Sequence, residues 1–368
     1  MSGGDQPGAS GAVTVGGAPV VTLTARNAPA EGPAFLEAQV LPGRGMMLLQ
    51  ARLRLASGAV VNALHAPDPE TAARTLDGGP DDFAGSASFS FGGAILLPYA
   101  NRIRGAPVAG AREIETTVAG HEVRLPRNWG GKAPGAEQYA MHGLILDARA
   151  SFEQPAPDRL RGRMAAGDFG GRWPGRLEVG FEWRLEAGRL ALAVTARNVG
   201  EEATPVGIGW HPYFALPSGD RAQARLRLAA GARTQVDNYD EVLPTGRLLP
   251  TAGTPYDFSA PGGEALGDRY LDDCFTDLVR TAAGVCVEVH DPAAGLGLRI
   301  TTPSTAVKAV QVYAPPDQAF VVVEPQFNLA DPFGREWPEG VDTGMAKLTP
   351  GGNVTYEASV EAFTVRNR

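Results

Sequence analysis

The chain of 368 residues contains five histidines, and one of them, His211, stands in the run Trp210-His211-Pro212-Tyr213-Phe214. An imidazole titrates near neutral pH, so in an aromatic, proline-stiffened setting it either fills space or moves protons. Glu324 raises a matching question. It follows Val321, Val322 and Val323 at the end of the most hydrophobic run of the chain, AFVVVEPQFN. A carboxylate there is expected to be partly desolvated, which raises its pKa and readies it as a base near neutral pH. The alternatives are a side chain on a wet face, or one paired with a buried arginine.

Other polar groups stand near apolar strands. Arg102, preceded by Asn101 in LPYANRIRGA, follows an apolar segment and a Pro-Tyr turn. Its guanidinium could fork onto hydroxyls or a carboxylate, or form a salt bridge at a rim. His142 precedes Gly143 in YAMHGLILDA, and RYLDDCFTDL sets Asp272 and Asp273 between Tyr270 and Phe275. Carboxylates among aromatic rings suit the hydroxyls and the apolar C–H face of a sugar, although a solvated turn reads the same way. Gln311, in AVQVYAP, could reach a ligand or face water, and Trp129, Tyr139 and Trp337 are candidates for a pocket wall. His65, His121 and His290 lie in ordinary contexts and receive no role. No glycine-rich phosphate cradle leads into a helix, and no zinc-type histidine pair is present.

The elements that must position these groups are strands. From Arg176 to Asn198, Leu177, Val179, Phe181, Trp183 and Leu185 alternate with Glu178, Glu182, Arg184 and Glu186, which is an antiparallel hairpin with one wet face. VCVEVHDPAAGLGLRITT reads as a second hairpin turning at Asp291-Pro292-Ala293-Ala294-Gly295. Further strands are expected at AFLEAQVL, MMLLQARLRLA, FSFGGAILL, LILDARASFE, QARLRLAAG, AVQVYA, FVVVEPQF and VTYEASVEAF. Long capped segments of helical period are missing. So many strands cannot form one flat sheet, and the expectation is an all-β sandwich of stacked, mainly antiparallel sheets with little helix. HAPDPETAARTLDGGPDDFAGS and RNWGGKAPGAEQYAMHG read as loops at its edge, where binding residues tend to sit.

Residues 1–18 are Gly-rich and read as a flexible lead-in, followed by a single domain over residues 19–368. The net charge of −8 argues against nucleic acid or an anionic membrane as partner, and a neutral small molecule fits better. Cys274 and Cys286 make neither a metal spacing nor a disulfide framework and read as two buried thiols of a reducing compartment. The N-terminal segment lacks a basic residue followed by an apolar run, so no signal peptide is expected and the expected location is cytoplasmic.

In chain order, ANRI, HGL, GWHPYF, LDDCF and VEPQFN resemble the motif series of the aldose 1-epimerase (galactose mutarotase) family, from about residue 98 to 328. The resemblance implies a β-supersandwich that opens the ring of an aldose such as galactose or glucose and recloses it as the other anomer. It needs no metal or organic cofactor and works as a monomer or homodimer. Carried onto matching positions, Glu324 is the general base that takes the anomeric proton and His211 the general acid at the ring oxygen. Arg102, His142, Asp272, Asn101 and Gln311 are then the substrate-binding residues. This chain departs from the family pattern in having Trp210 and Pro212 around the histidine and Asp-Asp-Cys at the acidic motif. Alignment on Phe275 favours Asp272 over Asp273 as the pocket carboxylate. Three rivals remain: a hexose 6-phosphate epimerase using Arg102, Arg104 and Lys132 to neutralise a dianion, a non-catalytic sugar-binding protein, and a glycoside hydrolase using Asp272 and Glu324.

Overall fold

A computed structural model describes residues 13–365 except 132 and 134. Its bulk is two large antiparallel sheets, one of eleven strands and one of ten, with a five-stranded sheet and two strand pairs beside them. The hairpin expected from alternation is Leu177–Glu186 against Arg189–Asn198, with Leu177, Val179, Phe181, Trp183 and Leu185 all buried. The second hairpin is Gly284–Asp291 against Leu296–Thr302. Both lie in the ten-stranded sheet.

One hydrophobic cluster joins that sheet to the inner face of the eleven-stranded sheet. Phe181, Trp183, Val194 and Val287 meet Trp210, Phe214, Phe275, Val312, Val321 and Val323. Each fully buried side chain of this kind contributes about 1.5–3 kcal/mol relative to exposure. Trp183 and Trp210 touch edge to face across the layer, with ring centroids 5.7 Å apart, and the Trp183 indole donates to the Met46 carbonyl at 2.9 Å. The architecture is a stacked, mainly antiparallel all-β sandwich.

The centre of the eleven-stranded sheet runs Leu271–Leu278, Ala309–Ala314, Phe320–Gln326, Gly209–Ala215 and Gly93–Leu96. Because side chains alternate between faces, the residues that interleave with the core ones point away from it. Trp210 and Phe214 enter the core, so His211 and Tyr213 face outward; the same parity puts Gln311 and Tyr313, Asp272, and Phe320, Val322 and Glu324 on the outer face. Register aligns them across strands: Gln311 opposes Glu324, and Asp272 opposes Tyr313. A slip of one residue would bury this whole polar set in the core.

Several expectations need correction. FSFGGAILL is strand only over Gly93–Leu96, because Phe89 ends a 3₁₀ segment, Pro80–Phe89, that is broken by a kink over residues 82–85. In LILDARASFE the strand begins only at Ser151; Ile145 and Leu146 are buried in irregular chain that follows Gly143. The expected loop 65–86 contains the helix Pro69–Thr75, capped by Asp68, whose carboxylate accepts from the Thr71 N–H at 2.8 Å. The expected loop 127–143 contributes strands Trp129–Gly130 and Gln138–Met141 to the five-stranded sheet, where Met141 opposes Arg102. Cys274 is buried but Cys286 is only partly so, and both are free. Thr14–Val15 pairs with Ala18–Pro19, so ordered structure begins inside the expected lead-in; its first residues, 1–12, lie outside the described residues. No helix among the described residues is long and apolar enough to cross a membrane.

Candidate active site

The outer face of the large sheet and the five-stranded sheet enclose a cavity of about 380 Å³, within the range that takes a small ligand. Its walls include Asn101, Arg102, His142, His211, Asp272, Gln311 and Glu324. All seven residues expected to act in catalysis or substrate binding therefore converge on one pocket, from segments up to 223 positions apart (324 minus 101).

Glu324 and His211 lie at the base, 2% and 5% exposed. His211 Nε2 stands 3.4 Å from Glu324 Oε1. Burial pushes the Glu324 carboxyl well above its usual range, with the Asp272 charge adding to the shift and Arg102 opposing it. Burial pushes His211 down to about 3. His142 packs edge-on against His211 at 4.8 Å between centroids, and its imidazole is likewise driven well below 6.5 by burial, then by His211 and Arg102. Burial thus favours the protonated form of the Glu324 carboxyl and the neutral forms of the two imidazoles.

Above this base lies a polar chain. Arg102 donates to Asn101 Oδ1 at 2.8 Å, Asn101 Nδ2 donates to Gln311 Oε1 at 3.0 Å, and Gln311 Nε2 donates to Asp272 Oδ1 at 2.5 Å. Arg102 also reaches Asp272 Oδ2 at 3.5 Å, closing the loop. Burial raises the Asp272 carboxyl, and Arg102 and Gln311 pull it back. Asp273 points the other way: it is fully buried and accepts from Arg233 and from the Tyr239 hydroxyl, both at 2.9 Å.

The backbone makes this convergence possible at two left-handed positions, Asn101 (φ 62°) and His142 (φ 64°). The His142 N–H donates to the Asn101 carbonyl at 2.8 Å, which ties the two binding turns together. Next to them, Gly143 (φ 88°) lies against the Leu97 backbone so closely that a Cβ would collide with it.

Five buried polar atoms of the pocket residues find no protein partner: Nδ1 of His142, Nδ1 of His211, Nε of Arg102, Oε2 of Glu324 and the hydroxyl of Tyr139. Buried polar groups are normally hydrogen-bonded, so orphans that border one cavity mark a ligand site. One ligating atom from each of His142, His211 and Glu324 lies within 4.8 Å of the others, and among the described residues this is the only trio whose composition would suit a transition metal.

Sequence reasoning missed part of the wall. Phe89, Tyr213, Tyr239, Tyr313 and Phe320 line the pocket; of the two rings set beside the acidic pair in the sequence, Tyr270 also lines it, whereas Phe275 lies in the core. Parity with His211, Gln311 and Glu324 could have identified Tyr213, Tyr313 and Phe320; Phe89 comes from the 3₁₀ segment and carries no such signal. Of the proposed wall residues, Trp129 and Tyr139 line the pocket. Trp337 does not; its indole donates to the Asp331 carbonyl at 2.9 Å.

The family model described as Aldose 1-epimerase matches residues 54–344. Galactose mutarotase from Rattus norvegicus is 28% identical over 229 residues, covering 59% of this chain and 60% of the rat protein, so the match spans less than two thirds of that relative. Maltose epimerase from Levilactobacillus brevis is 36% identical over 93 residues, 24% of this chain and 26% of that protein. An aldose epimerase homologue from C. elegans superposes with a TM-score of 0.69 over 94% of this chain and 99% of its own, at 17% identity, a likeness of fold.

Proposed function

From the premise that the chain belongs to the aldose 1-epimerase family, we propose that it interconverts the α and β anomers of a free aldohexose such as glucose or galactose. The observation that carries this reading is the buried Glu324–His211 pair, 3.4 Å apart in a pocket whose other polar lining includes Arg102, His142, Asp272, Asn101 and Gln311.

Ring opening removes a proton from the anomeric hydroxyl and delivers one to the ring oxygen; reclosure reverses both transfers. A carboxylate and an imidazolium that exchange one proton through the substrate are sufficient. With ring-closed sugar bound, hydrogen bonds from its hydroxyls to the orphan Oε2 favour the Glu324 carboxylate, and the proton of the pair rests on His211. Opening passes the anomeric proton to Glu324 and the His211 proton to the ring oxygen. The result is a protonated carboxyl and a neutral imidazole, the state that burial favours in the empty pocket. Rotation of the aldehyde carbon and the reverse transfers then give the other anomer. His142, edge-on to His211, is placed to polarise the ring oxygen, and Arg102, Asp272, Asn101 and Gln311 hold the remaining hydroxyls.

The sugar phosphate reading loses support from charge. Among the described lining residues Arg102 is the one cation, and it is committed to Asn101 and Asp272. Arg104 is held by Glu137, Asp331 and Glu336 outside the pocket lining, and Lys132 lies outside the described residues. For a glycosidase, Glu324 would face the glycosidic bond with Asp272 as its partner; instead Asp272 is tied to Arg102 and Gln311, and His211 stands beside Glu324. Polarimetry of freshly dissolved α-D-glucose and α-D-galactose, with and without the protein, tests the proposal. Acceleration that disappears in Glu324→Gln and His211→Asn supports it, and saturable sugar binding without acceleration would make this a binding protein.

A further inference from the structure

Two ladders of aromatic rings lead out of the pocket from its two histidines. On one wall His211 stacks on Tyr213 (centroids 5.1 Å apart), Tyr213 meets Phe320 edge-on (5.0 Å), Phe320 meets Tyr313 (6.1 Å), and Tyr313 meets Tyr270 (6.2 Å). On the other wall His142 packs on Phe89 (4.9 Å) and Phe89 on Trp129 (5.9 Å). Each ladder ends in an exposed ring: Trp129 is 50% exposed and Tyr270 41%. Among the described residues, only Phe152 is a further exposed Phe, Tyr or Trp. Two of these three rings border the same pocket, where large apolar faces left in water mark a contact surface.

We propose that these two rings form an outer sugar subsite, so that the preferred substrate is a reducing oligosaccharide whose terminal ring opens at the base while the next ring is held at the mouth. This rests on the epimerase reading above. The ring that opens must reach Glu324 and His211, which are buried; a glycosyl unit attached to it can leave only through the mouth. Aromatic faces match the apolar C–H face of a pyranose, and they stay rigid when they bind. The charge at the mouth fits a neutral glycan: the exposed Asp240 offers acceptors to hydroxyls, and no Lys or Arg among the described lining residues stands there to take a phosphate or a uronate. The glycosidic bond survives, because an acetal has no hydroxyl proton for Glu324 to take; only the hemiacetal end is opened and reclosed.

The test compares kcat/KM for anomerisation of glucose, maltose, cellobiose and lactose, read by NMR exchange at anomeric equilibrium, in wild type and in Trp129→Ala, Trp129→Phe and Tyr270→Ala. At least one disaccharide should exceed glucose by about tenfold. Each alanine substitution should lower the ratio of that disaccharide's kcat/KM to glucose's by about fivefold, mainly through KM, and Trp129→Phe should restore most of it. Glucose turned over as well as every disaccharide, or variants that lower both alike, would overturn the subsite. Alongside, maltose is titrated by tryptophan fluorescence. Silence on every sugar with a saturable response that vanishes in Trp129→Phe would sink the epimerase reading and keep the subsite; silence in both assays would remove both.

Discussion

His211 Nε2 and Glu324 Oε1 are 3.4 Å apart, just beyond a normal hydrogen-bond length, in a site that shields both from water. At that separation one proton can belong to either group, and burial decides in favour of the carboxyl by raising Glu324 and lowering His211. A bound sugar can reverse that preference by bringing hydroxyls to the orphan Oε2. In the proposed mechanism, the protonation state that burial favours is therefore that of the open-chain complex.

Removing either member should cost most of the catalysis while leaving the fold intact. Glu324→Gln and His211→Asn are each expected to lower kcat by about 10²- to 10⁴-fold, the usual worth of one positioned acid or base. Glu324→Gln should also stabilise the protein. A carboxyl whose folded pKa is raised contributes stability below its unfolded pKa and loses it as pH rises through the folded value. The amide has no such loss, so its gain in unfolding free energy over wild type should widen with increasing pH, reaching on the order of 1 kcal/mol at alkaline pH. A gap independent of pH would show that Glu324 is not desolvated.

The pH profile of kcat/KM follows from the same pair. Catalysis needs one proton on the two groups together. Below Glu324's raised pKa that proton is present, and a second is added only as His211 protonates near pH 3. The rate should therefore stay level from mildly acidic pH upward and fall on the alkaline side. Asp272 raises Glu324 by like-charge repulsion, so Asp272→Asn should move the alkaline limb to lower pH, and Arg102→Met, which removes an opposing cation, should move it higher. Limbs that do not move, or that move in the opposite senses, would remove Glu324 as their source.

The parts of this site that were legible in the sequence are those written in alternation. Glu324 after three valines and His211 between core aromatics break a period-two pattern, and strand parity alone assigns them to the face opposite the core. Asp273 shows where that logic fails: it shares parity with Leu271 and Phe275, so pattern alone would make it apolar, and only tertiary partners, Arg233 and the Tyr239 hydroxyl, make a buried carboxylate tolerable there. The five-stranded sheet was missed because Trp129–Gly130 and Gln138–Met141 are too short to show a period; Gln138–Met141 is held by pairing to Arg102–Pro107, and Trp129–Gly130 by pairing to Gln138–Met141. Phe89 reaches the pocket through the buried Arg44–Asp82 ion pair at 2.7 Å, which anchors its 3₁₀ segment across a long sequence separation.

The adjacent acids give a test of which one serves the ligand. Asp272→Asn removes a pocket charge that holds Arg102 and Gln311, so it should raise KM and lower kcat/KM about tenfold or more with a small change in stability. Asp273→Asn leaves Arg233 without its buried counter-charge and should destabilise by about 3–5 kcal/mol in urea unfolding, the usual cost of breaking such a pair. Equal effects of the two substitutions on both readouts would contradict the opposite orientations of these neighbours.

The last prediction concerns a residue with no chemistry of its own. Gly143 follows His142 in a left-handed conformation, its backbone bridges to Leu97, and any Cβ there would strike the Leu97 carbonyl. Leu97 in turn accepts from the Leu144 N–H at 2.7 Å, so the chain cannot shift without dislodging the turn that presents His142. Gly143→Ala is therefore expected to destabilise by about 1–3 kcal/mol and to lower kcat with it, since His142 must move relative to His211. Gly180, in a strand with open space at its Cβ position, is the control: Gly180→Ala should stay within about 0.5 kcal/mol of wild type and keep full activity. If both alanines behave alike in thermal unfolding, the close approach at Leu97 is not what holds His142 in place.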